Sequence, residues 1–237
     1  MMENPRILLV GDEPNILRTL RRNLISRGYQ VNIALDDIEA SQSADHNSPD
    51  LFIINLDFSL PSVDGLKICA DLREKSHSPI IVLSGIGSES VKIKALDIGA
   101  DDYLDMPFSM EEFLARVRVA LRRWFAYSNI EQKNESLILE KDLLIDVDAM
   151  KVSIKGEPVH LTPTEFKLLH YLADNIGRVI PHRELLRAVW GEVYGDEREY
   201  LRVFVSQLRQ KIEVDSVRPE YILTVPGVGY RFAADDH

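Results

Sequence analysis

Two sets of polar side chains could do chemistry, and they lie far apart in the chain. In the first set Asp12 and Glu13 follow the apolar run Ile7–Val10, Asn55 and Asp57 follow Leu51–Ile54, and Ser84 closes Pro79–Leu83. Polar side chains at the carboxyl ends of parallel strands collect where open α/β sheets place their chemistry. The second set is Arg198, Arg202, Ser206 and Arg209, at spacings of three or four residues. They fall opposite an apolar helical stripe of Leu201, Phe204, Val205, Leu208 and Ile212. Arginine can bond a guanine edge through two donors and can also hold phosphate. Neither set pairs a nucleophile with a base or has metal-ligand spacing, so an enzyme is not expected.

The elements that must position the first set alternate between two periods. Arg6–Val10, Gln30–Ala34, Leu51–Ile54, Pro79–Ser84 and Gly99–Leu104 read as short strands bounded by turn formers. Between them, Pro14 opens a helix with Ile16, Leu17, Leu20 and Leu24 at helical spacing, and further helices are expected over 66–74, 88–98 and 110–124. The polar stretch 36–48 carries only a weak helical pattern. Strands alternating with helices predict an α/β fold, a doubly wound five-stranded parallel sheet over residues 1–124. Apolar periodicity fades over 125–136, which reads as a linker.

From residue 137 the character changes. Short alternating runs at 137–139, 144–147 and 151–154 predict an antiparallel meander. Thr162 caps a helix through Ala173, with Pro163 at its first position and Glu165 completing a capping box. Helices over 181–190 and 196–213 and a hairpin over 221–232 complete an α+β domain, residues 137–237.

The formal net charge of −10 argues against non-specific nucleic-acid binding. Each half, split after Trp124, holds 14 basic and 19 acidic side chains, so a DNA contact must come from a local patch. The single cysteine, Cys69, excludes an internal disulfide and fits a reducing cytosol. No apolar segment approaches the length of a membrane span, so a cytoplasmic protein without a membrane partner is expected.

The segment Pro49-Asp50 through Leu60-Pro61, with Gly11-Asp12-Glu13, Ser84 and Asp105-Met106-Pro107-Phe108, resembles the site of bacterial response-regulator receiver domains. In that family two acids after the first strand join an acceptor Asp around Mg2+, while a hydroxyl and a lysine hold the phosphoryl oxygens. The resemblance implies Asp12 and Glu13 as residual metal ligands and Ser84, Tyr103 and Met106 at the switch positions. Counted forward from Pro49-Asp50 the acceptor position is Asn55; counted back from Leu60-Pro61 it is Asp57. Strand register favours Asn55, because the following loop can absorb extra residues. A carboxamide cannot form an acyl phosphate, Gly11 replaces the first acid, and Met106 replaces the lysine. A receiver that no longer runs phosphotransfer is therefore expected, with no cofactor, Mg2+ entering only if the site works. The alternatives are a conventional regulator phosphorylated on Asp57 by a sensor histidine kinase, and a receiver reused to sense a ligand or protein.

Lys94, Asp97, Asp101, Asp102, Glu112, Arg116 and Arg118 match the receiver dimer face of the OmpR/PhoB family of winged-helix regulators. The likeness implies Lys94 facing Glu112, Asp97 facing Arg118, and Asp101 or Asp102 facing Arg116 across a homodimer. The motifs at 162–169, 183–191, 205–211 and 228–232 look like that family's effector domain. It implies DNA contacts from Arg198, Arg202, Ser206, Arg209, Lys211, Thr224, Gly229 and Arg231. The expected partners are double-stranded DNA with tandem half-sites and RNA polymerase, the latter through the loop 190–196.

Overall fold

The computed structural model describes residues 4–57, 64–85, 89–128, 137–147, 149–191, 194 and 197–234. The chain divides into two units, Met1–Trp124 and Phe125–His237. The stretch 58–63, which decides the backward count from Leu60-Pro61, and most of the loop 190–196 lie outside the described residues.

In the first unit β1 (Arg6–Val10), β2 (Gln30–Ala34), β3 (Leu51–Asn55), β4 (Ile80–Ser84) and β5 (Asp102–Asp105) form a parallel sheet in the order β2-β1-β3-β4-β5. β3 and β4 are buried at every position, which is why they are written as unbroken apolar runs. Helices α1 (Pro14–Ile25), α2 (Asp37–Asn47), α3 (Gly65–Lys75), α4 (Glu89–Asp97) and α5 (Met110–Ser128) alternate with them. The polar segment after β2 does form a helix, because Asp36 caps it by accepting from Glu39 N and Ala40 is buried. α5 runs four residues past its expected end at Trp124, since nothing in Phe125–Ser128 breaks a helix.

Arg73 of α3 acts as a strap across the far end of this sheet. It donates to the carbonyls of Gly99, Ser76 and Ser78 and to Asp101 Oδ2, at 2.6–3.1 Å. Gly99 has φ +112°, and a Cβ there would lie 2.6 Å from Arg73 Cγ, so only glycine admits the strap.

The second unit opens with an antiparallel sheet of β6 (Leu137–Glu140), β7 (Leu143–Asp146), β8 (Lys151–Ile154) and β9 (Glu157–Val159). Helices α6 (Pro163–Asp174), α7 (His182–Trp190) and α8 (Arg198–Ile212) follow, and β10 (Val179–Pro181), β11 (Ile222–Val225) and β12 (Gly229–Phe232) pair as β10-β12-β11. β10 and the fourth strand of the meander escape sequence reading because three residues are too few to carry a period. Trp190 anchors α7 to α8, its ring 5.0 Å from Phe204 and 6.0 Å from Tyr200, all buried. The expected capping box of α6 is present, and Lys211 of α8 reaches Glu165 at 2.6 Å.

Candidate functional site

At the receiver edge, Asn55 is the last residue of β3, paired in register with Leu83 of β4. It is 3% exposed, and its Oδ1 accepts from Asp57 N at 3.2 Å, a side-chain turn that closes the strand. A Cβ at Gly11 would lie 3.2 Å from Asn55 Cβ, so the ends of β1 and β3 bring these two positions together. Asp57 stands two residues beyond and is not the freely solvated loop carboxylate its position would suggest. Its Oδ1 accepts from Ser84 Oγ at 3.0 Å and its Oδ2 from Gly85 N at 2.5 Å.

Tyr103 is buried beside this pair. Burial pushes its phenol up, the nearby Ser84 hydroxyl pulls it back, and the Asp105 and Asp57 carboxylates add to the rise. Met106 Cε lies 3.8 Å from where a Gly85 Cβ would be, so an apolar thioether stands beside Gly85 and Asp57. These residues offer Mg2+ fewer donors than the family pattern they resemble. The ion asks for several hard oxygen donors, whereas glycine stands at the first acidic position and Asn55 Oδ1 is turned onto Asp57 N. Among the described residues no group of three His, Cys, Asp or Glu side chains could hold a metal ion.

The expected dimer residues divide in two. Lys94, Asp97 and Arg118 are exposed. Asp101, Asp102 and Arg116 are buried and already have partners within the chain, where the likeness implied pairing across a dimer. Arg116 is 7% exposed, bonds both oxygens of Asp102 at 3.0 and 3.3 Å, and bonds Glu112 Oε1 at 2.7 Å. Asp101 Oδ2 accepts from Arg73 and from Ile80 N. The family likeness that implied these pairs does not show that the chain itself already supplies partners for them.

On the effector unit, Arg198, Arg202 and Ser206 are exposed along one side of α8, with Gln210 continuing the line. Three other expected DNA contacts already have structural work within the chain. Arg209 is half-buried and donates from Nε and Nη2 to the Ile222 carbonyl and from Nη2 to Thr224 Oγ1 at 2.9 Å, which ties α8 to β11. Lys211 braces the α6 cap through Glu165. Gly229 is buried, and a Cβ there would lie 1.9 Å from the Ile180 carbonyl oxygen, so it exists to let β12 pass β10. Thr224 and Arg231 remain exposed on the wing strands.

The structure adds a residue that the sequence reading missed. His182, first in α7, sets its ring edge-on to Tyr230 at 5.6 Å. Burial and then the fields of Arg198 and Arg202 lower its pKa below the ordinary value. Tyr230 is pushed up by burial, while Arg209 and Arg202 pull it down. Positive potential therefore gathers around Arg198, Arg202 and His182 on a chain of net charge −10. A lone histidine between Pro181 and Arg183 carried no signal for this; only the packing of α7 against α8 and β12 reveals it.

Residues 7–118 match the response regulator receiver domain family, and residues 156–232 match the family described as transcriptional regulatory protein, C terminal. The chain belongs to the OmpR/PhoB family of response regulators, transcription regulators that join a receiver to a winged helix-turn-helix domain. It is 45% identical over 229 residues to the transcriptional regulatory protein KdpE of Mycobacterium tuberculosis, covering 96% of this chain and 99% of that one. It is 43% identical over 226 residues to the KDP operon regulator KdpE of Escherichia coli K12, covering 95% and 98%. Among solved structures, a RitR C128S mutant superposes with a TM-score of 0.76 at 26% identity, covering 98% of this chain and 100% of that one. No helix among the described residues is long and apolar enough to cross a membrane.

Proposed function

We propose that this KdpE-like regulator binds DNA without depending on aspartyl phosphorylation of its receiver. The observation that carries this reading is the register of β3, which brings Asn55 rather than a carboxylate against Gly11 at the strand end. An acyl phosphate adds about −1.5 to −2 charges, which a receiver must offset with a cation and a lysine. Gly11 removes a metal ligand and Met106 removes the lysine, so the hold on a cation is weakened and the lysine's charge is lost. DNA is held by the exposed side of α8 at Arg198, Arg202 and Ser206, with Thr224 and Arg231 of the wing reaching phosphate. Receiver pairing through Lys94, Asp97 and Arg118 brings two effector domains onto tandem half-sites in the cytoplasm, beside RNA polymerase.

The test is intact mass after incubation with acetyl phosphate and Mg2+. The mass stays unchanged, and affinity for an operator fragment is the same with and without treatment. A phosphoryl adduct that persists in Asp57→Ala, or one that vanishes there, overturns the reading, and the second result makes Asp57 the acceptor.

A further inference from the structure

Just past the end of β3 the chain sends a carboxylate back to the sheet edge. Asp57 offers one oxygen to the Ser84 hydroxyl and the other to the Gly85 main-chain N–H, at 3.0 and 2.5 Å. Both donors belong to the end of β4, and Ser84 is fully buried. A hydroxyl and an amide converging on one carboxylate make a small oxyanion cradle. The fit is close: a Cβ on residue 85 would lie 3.1 Å from Asp57 Oδ2, so a larger residue there would crowd the carboxylate.

The geometry points to Asp57 as the resident ligand of this cradle, an intramolecular carboxylate that stands in for an added oxyanion and keeps the end of β4 in its anion-bound arrangement. The inference rests on the reading that Asn55 receives no phosphoryl group. Charge explains why the arrangement works here. A carboxylate brings a single negative charge, which two neutral donors can hold, whereas a phosphoryl dianion calls for a cation. Met106 supplies none, and Lys92 pairs with Asp105 at 3.7 Å while its Nζ lies 5.8 Å from the Tyr103 ring centre. The acid two residues late, the missing lysine and the glycine after Ser84 are then parts of one device. Gly85 precedes α4 in the chain, and α4 carries Lys94 and Asp97 of the candidate dimer face.

The test uses the full chain with Asp57→Ala, the isosteric Asp57→Asn, and Ser84→Ala. In the wild type the Gly85 amide proton resonates downfield and exchanges slowly with solvent. In Asp57→Ala it moves upfield and exchanges faster, and affinity for a tandem operator fragment falls about tenfold, a size usual for coupling between distant sites. Asp57→Asn shifts the amide part of the way and answers for the alanine variant should that one fail to fold. Sodium formate, a free carboxylate small enough for the vacated cradle, restores both readouts in Asp57→Ala. It leaves Ser84→Ala unrepaired, because one donor is gone. If Asp57→Ala and Asp57→Asn keep the wild-type Gly85 resonance, or keep wild-type DNA affinity, Asp57 is no ligand of functional weight, and phosphorylation independence still stands. If acetyl phosphate labels the wild type, the reading beneath the inference fails instead.

Discussion

Arg202 and Arg209 lie seven residues apart on α8 and have the same side chain, yet their surroundings give them different work. Arg202 is exposed and free to meet a base edge. Arg202→Ala should therefore weaken operator binding by about 1–3 kcal/mol at fixed salt and leave thermal unfolding unchanged. Arg209 holds the Ile222 carbonyl and Thr224 Oγ1. Arg209→Ala should cost about 1–3 kcal/mol of stability, because it strands a part-buried carbonyl. Fluorescence anisotropy and a melting curve on each variant separate the two roles. If Arg209→Ala melts like the wild type while losing DNA affinity, α8 is tied to β11 by something else.

At the scale of elements, the start of α6 holds the effector helices together. Thr162 and Glu165 cap it, and Glu165, only 2% exposed, also receives Lys211 from α8. Removing the cap oxygen with Thr162→Ala should lower stability by about 1 kcal/mol in a urea titration. The same helices set a pH dependence. His170 on α6 lies below its ordinary 6.5 because burial disfavours the imidazolium, with Asp174 opposing. His182 on α7 is lowered by burial and by Arg198 and Arg202. Between 6.5 and the lower folded values the unfolded chain binds more protons, so these groups make the fold less stable as pH falls through about 6.5. Urea midpoints measured from about pH 7.5 down to about pH 5.5 should fall, and His170→Gln should flatten the slope. A slope that is unchanged in His170→Gln would remove that residue from the account.

For the whole molecule, assembly is tested best where the chain has not already used its charges. Arg116→Glu breaks a buried pair with Asp102, so it should destabilise the receiver by about 3–5 kcal/mol and say little about dimers. Arg118→Glu and Lys94→Glu change exposed charges and should leave melting unchanged while pushing the full chain towards monomer in sedimentation. Their loss of cooperative binding to tandem half-sites should follow, since the effector contact itself is untouched. A wild-type chain that stays monomeric at high concentration would end the dimer proposal. With net charge −10, DNA affinity should also fall as salt rises, with a slope set by the local phosphate contacts.

Much of the architecture is written in periodicities that a single chain displays. Alternation of short apolar runs with helical stripes dictates the parallel sheet, because strands buried on both faces must be apolar throughout, as in β3 and β4. The α6 capping box and the apolar stripe of α8 are local in the same way, set by spacings of three and four residues. Asn55 as the end of β3 was also legible, since register follows from that run. What a side chain does after the fold closes depends on partners distant in sequence. Asp57 meets Ser84 and Gly85 27 and 28 residues away, Asp101 meets Arg73 28 residues away, and Lys211 meets Glu165 46 residues away. Nothing in the spacing of neighbours encodes those meetings. Only the closed tertiary structure decides which charges face solvent and which are already held, because pairing in a folded chain is settled by proximity in space.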